Sequence, residues 1–166
     1  MAPQDDAEKT NHLGDRTVVR KSSVDEFASV AVRDKHELLI DEPEWLPMGV
    51  GTDRHPAPVD HLVVGLVACQ VEVLDQALQK ARVEEYDISA TAEIDELGMG
   101  DVPEGMPANT GQLIEHIDVD LTVETTAAFE GRVRRCLDVY DGGCIVGRSY
   151  RAGIDYTPHA NVEVRE

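Results

Sequence analysis

The 166-residue chain predicts an α+β fold, on three observations. Strand-like runs come in consecutive groups instead of alternating strictly with helices, which favours α+β over a doubly wound sheet. One stretch, residues 62–71, is apolar nearly all round a helix and so reads as a central, buried helix. Hydrophobic residues make up 42% of the chain, enough for one domain with its own core.

Residues 1–15 are polar and acidic and read as a flexible lead-in, leaving 16–166 as one domain. Thr17-Val18-Val19-Arg20 is rich in β-branched residues, residues 27–32 alternate from Phe27 to Val32, and Glu37-Leu38-Leu39-Ile40 forms a third strand-like run. The charged residues 33–36 predict a hairpin turn between the last two. A loop rich in Pro and Gly covers residues 42–58, a length that favours a functional segment. It delivers the chain into a helix expected to run to about Arg82, with Pro58 and Asp60 in positions suited to a first turn. Residues 86–94 and 117–123 alternate as strands, with Ile117, Val119, Leu121 and Val123 facing in. A second loop covers residues 97–111, a second helix is expected over 127–139, a short element after Cys144, and a last strand over 161–164. The expected order is β-β-β-α-β-β-α-β.

Composition narrows the function classes. The net charge of −18 argues against nucleic acid and against anionic membrane surfaces, both of which call for a basic patch. No run reads as a membrane span, because Gln70 and Glu72 interrupt the apolar stretch at residues 62–74. The N-terminus lacks the basic and apolar regions of a signal peptide, so a cytoplasmic protein is expected. Scattered acidic residues with only four lysines point to a halophilic source, since molar salt shortens the Debye length to about 3 Å and makes such self-repulsion tolerable. Three cysteines argue against a disulfide-stapled domain, and no Cys or His spacing suits a metal. No cofactor is implied.

The chemistry-bearing residues are the thiols. Cys69 sits in the apolar helix, and Cys144 follows the Gly142-Gly143 break; a thiol on a rigid helix facing one on a turn suggests thiol redox chemistry. The blander reading is that a free Cys packs as a small hydrophobe, which suits Cys136 on its apolar helical stripe. Asp60 either orients Arg54 or His55 or balances the helix dipole. His55 and His61 can be read as general bases or as ordinary loop and helix histidines, and Trp45 as a pocket wall or a loop anchor. Gly65 in mid-helix suggests close approach of another helix.

Asp41-Glu42-Pro43, Gly49-Val50-Gly51-Thr52-Asp53, Pro56-Ala57-Pro58-Val59-Asp60-His61-Leu62 and Ala68-Cys69 together resemble the OsmC/Ohr family. Cys144-Ile145-Val146-Gly147 resembles that family's second cysteine motif, with Ile145 where proline is usual. The resemblance spans residues 18–164. It implies two long central helices wrapped by antiparallel-rich sheets in an intertwined homodimer. It further implies reduction of organic hydroperoxides, with Cys69 attacking, Cys144 resolving, a Cys69–Cys144 disulfide and an external dithiol reductant. The family's arginine slot falls near residues 47–49, where no arginine stands, and its glutamate slot falls on Val59 or Asp60. Arg54 with Asp60 is then the expected polarising pair, and Trp45, His55 and Leu66 the expected substrate pocket. The alternative expectation is a non-enzymatic dimer of the same fold that binds a small ligand or senses redox state.

Overall fold

The computed structural model describes residues 17–33, 35–44, 51–97 and 113–153. They fall into two compact units divided between His61 and Leu62. Trp45, residues 1–15 and the strand expected over 161–164 lie outside the described residues.

The first unit holds an antiparallel meander of β1 (Thr17–Arg20), β2 (Ala28–Val32) and β3 (His36–Ile40), in the order β1-β2-β3. Val30, on the central strand, faces Val19 on one side and Leu38 on the other and is buried. The expected hairpin turn is present: Lys35 N–H donates to the Val32 carbonyl at 3.1 Å, with Arg33 at φ 54°. Beyond β3 the chain is clasped by one side chain. Asp41 is 4% exposed, and its carboxylate accepts from the backbone N–H groups of Glu42 (2.8 Å), Thr52 (3.2 Å) and Arg54 (3.0 Å) and from the Thr52 hydroxyl (2.6 Å). The Thr52 hydroxyl bond, with the backbone donors, holds its carboxyl far below the usual aspartate range against the opposing effect of burial.

Helix α1 (Pro58–Lys80) is 23 residues long. Pro58 occupies the first helical position, where its missing N–H is no loss. Asp60, two residues on, reaches back so that its carboxylate accepts the Ala57 N–H at 2.8 Å, one half of a capping box. Every fourth residue from Leu66 to Leu78 is buried: Leu66, Gln70, Leu74 and Leu78. By length and composition alone α1 would suffice to cross a membrane, which corrects the expectation that Gln70 and Glu72 exclude it; its stripe is instead packed against protein. The helix ends at Lys80 in a Schellman turn: Val83 N–H donates to the Leu78 carbonyl (3.1 Å), Arg82 N–H to that of Gln79 (3.0 Å), and Arg82 takes φ 55°.

In the second unit β4 (Tyr86–Leu97) and β5 (Leu113–Thr125) pair antiparallel, with a bulge at Asp95/Glu96. Ile88 and Ala90 on β4 stand opposite Val123 and Leu121 on β5, as the alternation predicts. The second helix is shorter than expected: α2 covers Glu130–Leu137, because Phe129 is its N-cap and the chain tightens into a 3-10 turn at Tyr140–Gly143. The element after Cys144 is a helix, α3 (Ile145–Ala152). Leu74, Leu78, Val83, Val133 and Cys136 form the core, so Cys136 is a packing residue. The Tyr86 hydroxyl donates to Asp75 at 2.6 Å and ties β4 to α1. Arg132 of α2 donates to the Arg82 carbonyl at 2.8 Å and so closes the end of α1.

Two stability predictions follow from these local geometries. Arg82→Gly removes the left-handed cost of a side chain and should raise the free energy of urea unfolding by up to about 1 kcal/mol; a loss would mean the Arg82 side chain contributes more than its backbone costs. Asp41 titrates below its unfolded value, so its contribution is full above the ordinary aspartate range and is lost as pH falls through the folded value. Asp41→Asn should therefore lower stability at neutral pH, with the gap to wild type starting to narrow only as pH falls below the ordinary aspartate range and closing only near the much lower folded value. A gap independent of pH would show that the carboxylate charge is not what holds the clasp.

Candidate functional site: a thiol pair beside a cavity

Cys69 lies on α1, one residue before the buried stripe, and is half-buried. One turn further along the same face stands Val73. The 3-10 turn passes so close to it that a Cβ on Gly143 would lie 2.8 Å from Val73 Cγ1. Only glycine allows that approach. The approach sets the next residue, Cys144, against α1 with no exposed surface.

Cys144 is also the N-cap of α3. Its Sγ accepts the Gly147 N–H at 3.2 Å, the role a Ser or Asp oxygen usually fills. Gly147 is buried, and a Cβ there would lie 3.3 Å from Cys144 Sγ and 3.6 Å from Leu66. The thiol is thus enclosed by Leu66, Gly147 and Cys69. Burial pushes the Cys144 thiol above its ordinary value, the Gly147 N–H opposes this, and the neighbouring Cys69 thiol adds to the rise. Both thiols are free.

Beside the pair lies a cavity of about 710 Å3, within the usual range for small-molecule sites. Leu62, Leu66 and Gln70 of α1 form one wall, the start of β5 a second, and Tyr140, Gly147 and Tyr150 a third. The Tyr150 hydroxyl donates to the Leu62 carbonyl at 3.1 Å and links α3 to α1. Burial raises the pKa values of Tyr140 and Tyr150, so both remain neutral. At the mouth, Arg151 is paired with Asp141 at 3.1 Å.

The structure treats the remaining expected site residues differently. Leu66 is buried and bridges the thiol and the cavity. Arg54 and Asp60 do not pair. Asp60 is held by the free N–H at the start of α1, and Arg54 is held by Glu26, by the Phe27 ring 4.6 Å from its guanidinium carbon and by the Thr52 hydroxyl at 3.2 Å. His55 sits edge-on to Phe27 with ring centroids 4.6 Å apart. Arg54, His55 and Asp60 belong to the first unit and the thiols to the second. Trp45 lies outside the described residues. Sequence reasoning missed Gln70, the one buried polar residue among the described residues of the second unit, whose Oε1 has no partner among the described residues. Its signal is plain in retrospect: a glutamine at every-fourth spacing among Leu62, Leu66, Leu74 and Leu78. Among the described residues no three of His, Cys, Asp or Glu come together as metal ligands would.

Comparison with known proteins bears on what this arrangement is. No curated protein sequence matches the chain. Solved structures share its fold. An OsmC-like protein of unknown function from Vibrio cholerae superposes with a TM-score of 0.58 at 13% identity, covering 81% of this chain and 91% of that one. An organic hydroperoxide resistance protein OsmC from Legionella pneumophila gives 0.56 at 18% identity, covering 84% and 90%. The organic hydroperoxide resistance protein OhrB of Bacillus subtilis gives 0.52 at 16% identity, covering 84% and 92%. The family described as OsmC-like protein matches residues 51–159, a span that includes α1, both strands of the β4–β5 pair and both thiols. The chain belongs to the OsmC-like family.

Proposed function

We propose that this protein reduces organic hydroperoxides in the cytoplasm, with Cys69 as the attacking thiol and Cys144 as the resolving one. The observation that carries this reading is that the two thiols lie together: the turn that packs Gly143 on Val73 of α1 sets the buried Cys144 close enough to Cys69 for each to feel the other. In the first step the Cys69 sulfur bonds to the terminal peroxide oxygen, the O–O bond breaks, and the alcohol leaves with a proton, giving a sulfenic acid. Cys144 then attacks that sulfur, water leaves, and a disulfide forms. An external dithiol reduces it and is itself oxidised. The structural relatives named as hydroperoxide resistance proteins support the same reading. A second reading, binding of a small ligand without turnover, draws on the cavity and on an Arg54 already engaged by Glu26.

One equivalent of cumene hydroperoxide, followed by thiol titration and intact mass, separates these readings. Wild type should lose two thiols and two hydrogens, Cys69→Ser should lose none, and Cys144→Ser should gain one oxygen. Because burial holds the Cys144 proton, disulfide closure should quicken as pH rises through and beyond the ordinary thiol range. Unchanged thiols in wild type would leave the ligand-binding reading standing.

We also infer a homodimer adapted to salt. Val64 of α1 is 59% exposed and adjoins Gly65, around which a Cβ would meet nothing within 4 Å, and exposed Ala68. This small-residue apolar strip fits a second helix. Sedimentation in molar KCl should give twice the chain mass, and dialysis to low salt should lower the melting temperature, because 33 acidic groups then repel unscreened. A monomer at molar salt, or stability indifferent to salt, would overturn the corresponding part.

A further inference from the structure

Gln70 is 8% exposed and lines the cavity, yet among the described residues its Oε1 has no hydrogen-bond partner. An unpaired buried acceptor costs about 1–3 kcal/mol, and native structures keep few of them. Leucine fills the equivalent positions one turn before and one turn after, at Leu66 and Leu74, so the stripe itself has no need of an amide. A single water could satisfy Oε1, but the cavity of about 710 Å3 exceeds a water's share of about 30 Å3 many times over. The two tyrosine hydroxyls on the cavity wall leave Oε1 unsatisfied; that of Tyr150 is spent on the Leu62 carbonyl.

We propose that the cavity takes a neutral organic molecule bearing an O–H group, and that Gln70 Oε1 accepts that O–H while Leu62, Leu66, Ile117 and Val119 hold the hydrocarbon. An ionised carboxylate offers the amide oxygen no donor, and a chain of charge −18 with Arg151 already paired does not favour an anion. Two sources share the required chemistry: an alcohol and the terminal O–H of a hydroperoxide. For the hydroperoxide the inference rests on the peroxide reading above; for the alcohol it does not. Gln70 would be a positioning residue: it follows Cys69 directly, and Leu66 and Gly147 serve both the cavity and the Cys144 surroundings.

The test uses Cys69→Ser protein, so that nothing turns over, and calorimetric titration with 2-phenyl-2-propanol and with its methyl ether. The alcohol should bind about tenfold more tightly than the ether, the ratio expected of one hydrogen bond to an otherwise unpaired acceptor. Gln70→Leu and Gln70→Met, on the same background, should erase that preference while melting no lower than their parent. Equal binding of alcohol and ether, or binding of neither, overturns the proposal. With both thiols intact, Gln70→Met should raise KM for cumene hydroperoxide about tenfold with little change in kcat if the hydroperoxide is the ligand. Turnover unaffected by Gln70→Met, with the alcohol preference still dependent on Gln70, assigns the site to the alcohol. An alcohol preference that depends on Gln70 in a protein whose thiols ignore peroxide upholds this inference while the peroxide reading fails.

Discussion

The burial of Leu74 and Leu78 fixes how α1 is turned about its own axis, and the rest of the second unit depends on that angle. Both side chains are wholly enclosed, and with Val83, Val133 and Cys136 they form the core. At 3.6 residues per turn, seating them also commits Leu66 and Gln70 to the same face and Cys69 and Val73 to the neighbouring one. The first face meets the β4–β5 pair and the cavity; the second meets the 3-10 turn at Gly143. A different rotation of α1 would separate the thiols and turn Gln70 out of the cavity. The pairing of the two thiols is therefore a by-product of core packing two turns away.

That dependence explains which parts of the protein are legible in its sequence. Of the first unit, β2 and, in the second, the β4–β5 pair follow from alternation, while β1 follows from its β-branched residues and β3 from a short apolar run. The extent of α1 follows from Pro58 and from its apolar run. Cys69 and Cys144 stand out because their flanking residues resemble a family pattern. The proximity of the two thiols does not follow from either motif. It depends on Gly143 lying against Val73, a contact across 70 positions that no local pattern encodes. The partner of Arg54 is a similar case. Asp60 is near in sequence, but its carboxylate is claimed by the helix start, while Glu26 and Phe27 come from the distant edge of β2. Asp41 reads as one letter of a motif and is in fact the acceptor for four donors that fold the following loop onto β3.

The same stretch of α1 carries groups whose energetics run against stability. Gln70 leaves an acceptor unpaired among the described residues in place of a leucine, and Cys144 loses hydration with little more than backbone N–H groups at the start of α3 as compensation. Natural chains place such costs where a site needs them and recover them in nearby packing. Here the recovery comes from the leucines on either side of Gln70 and from the N-cap bond that Cys144 supplies to α3.

These two costs are complementary when taken as parts of one site. A buried thiol that keeps its proton reacts slowly with outside oxidants, so in the proposed cycle Cys144 would be spared until Cys69 presents a sulfenic acid beside it. An amide oxygen that lacks a donor discriminates between molecules with and without an O–H, because a ligand lacking it leaves the penalty in place. On the proposed reading, the first feature would govern the order in which the sulfurs react, and the second which molecule rests beside them. Both act through groups within two helical turns on α1 and the segment that Gly143 brings against it. On the proposed reading, selectivity would come from which buried groups are left incompletely satisfied.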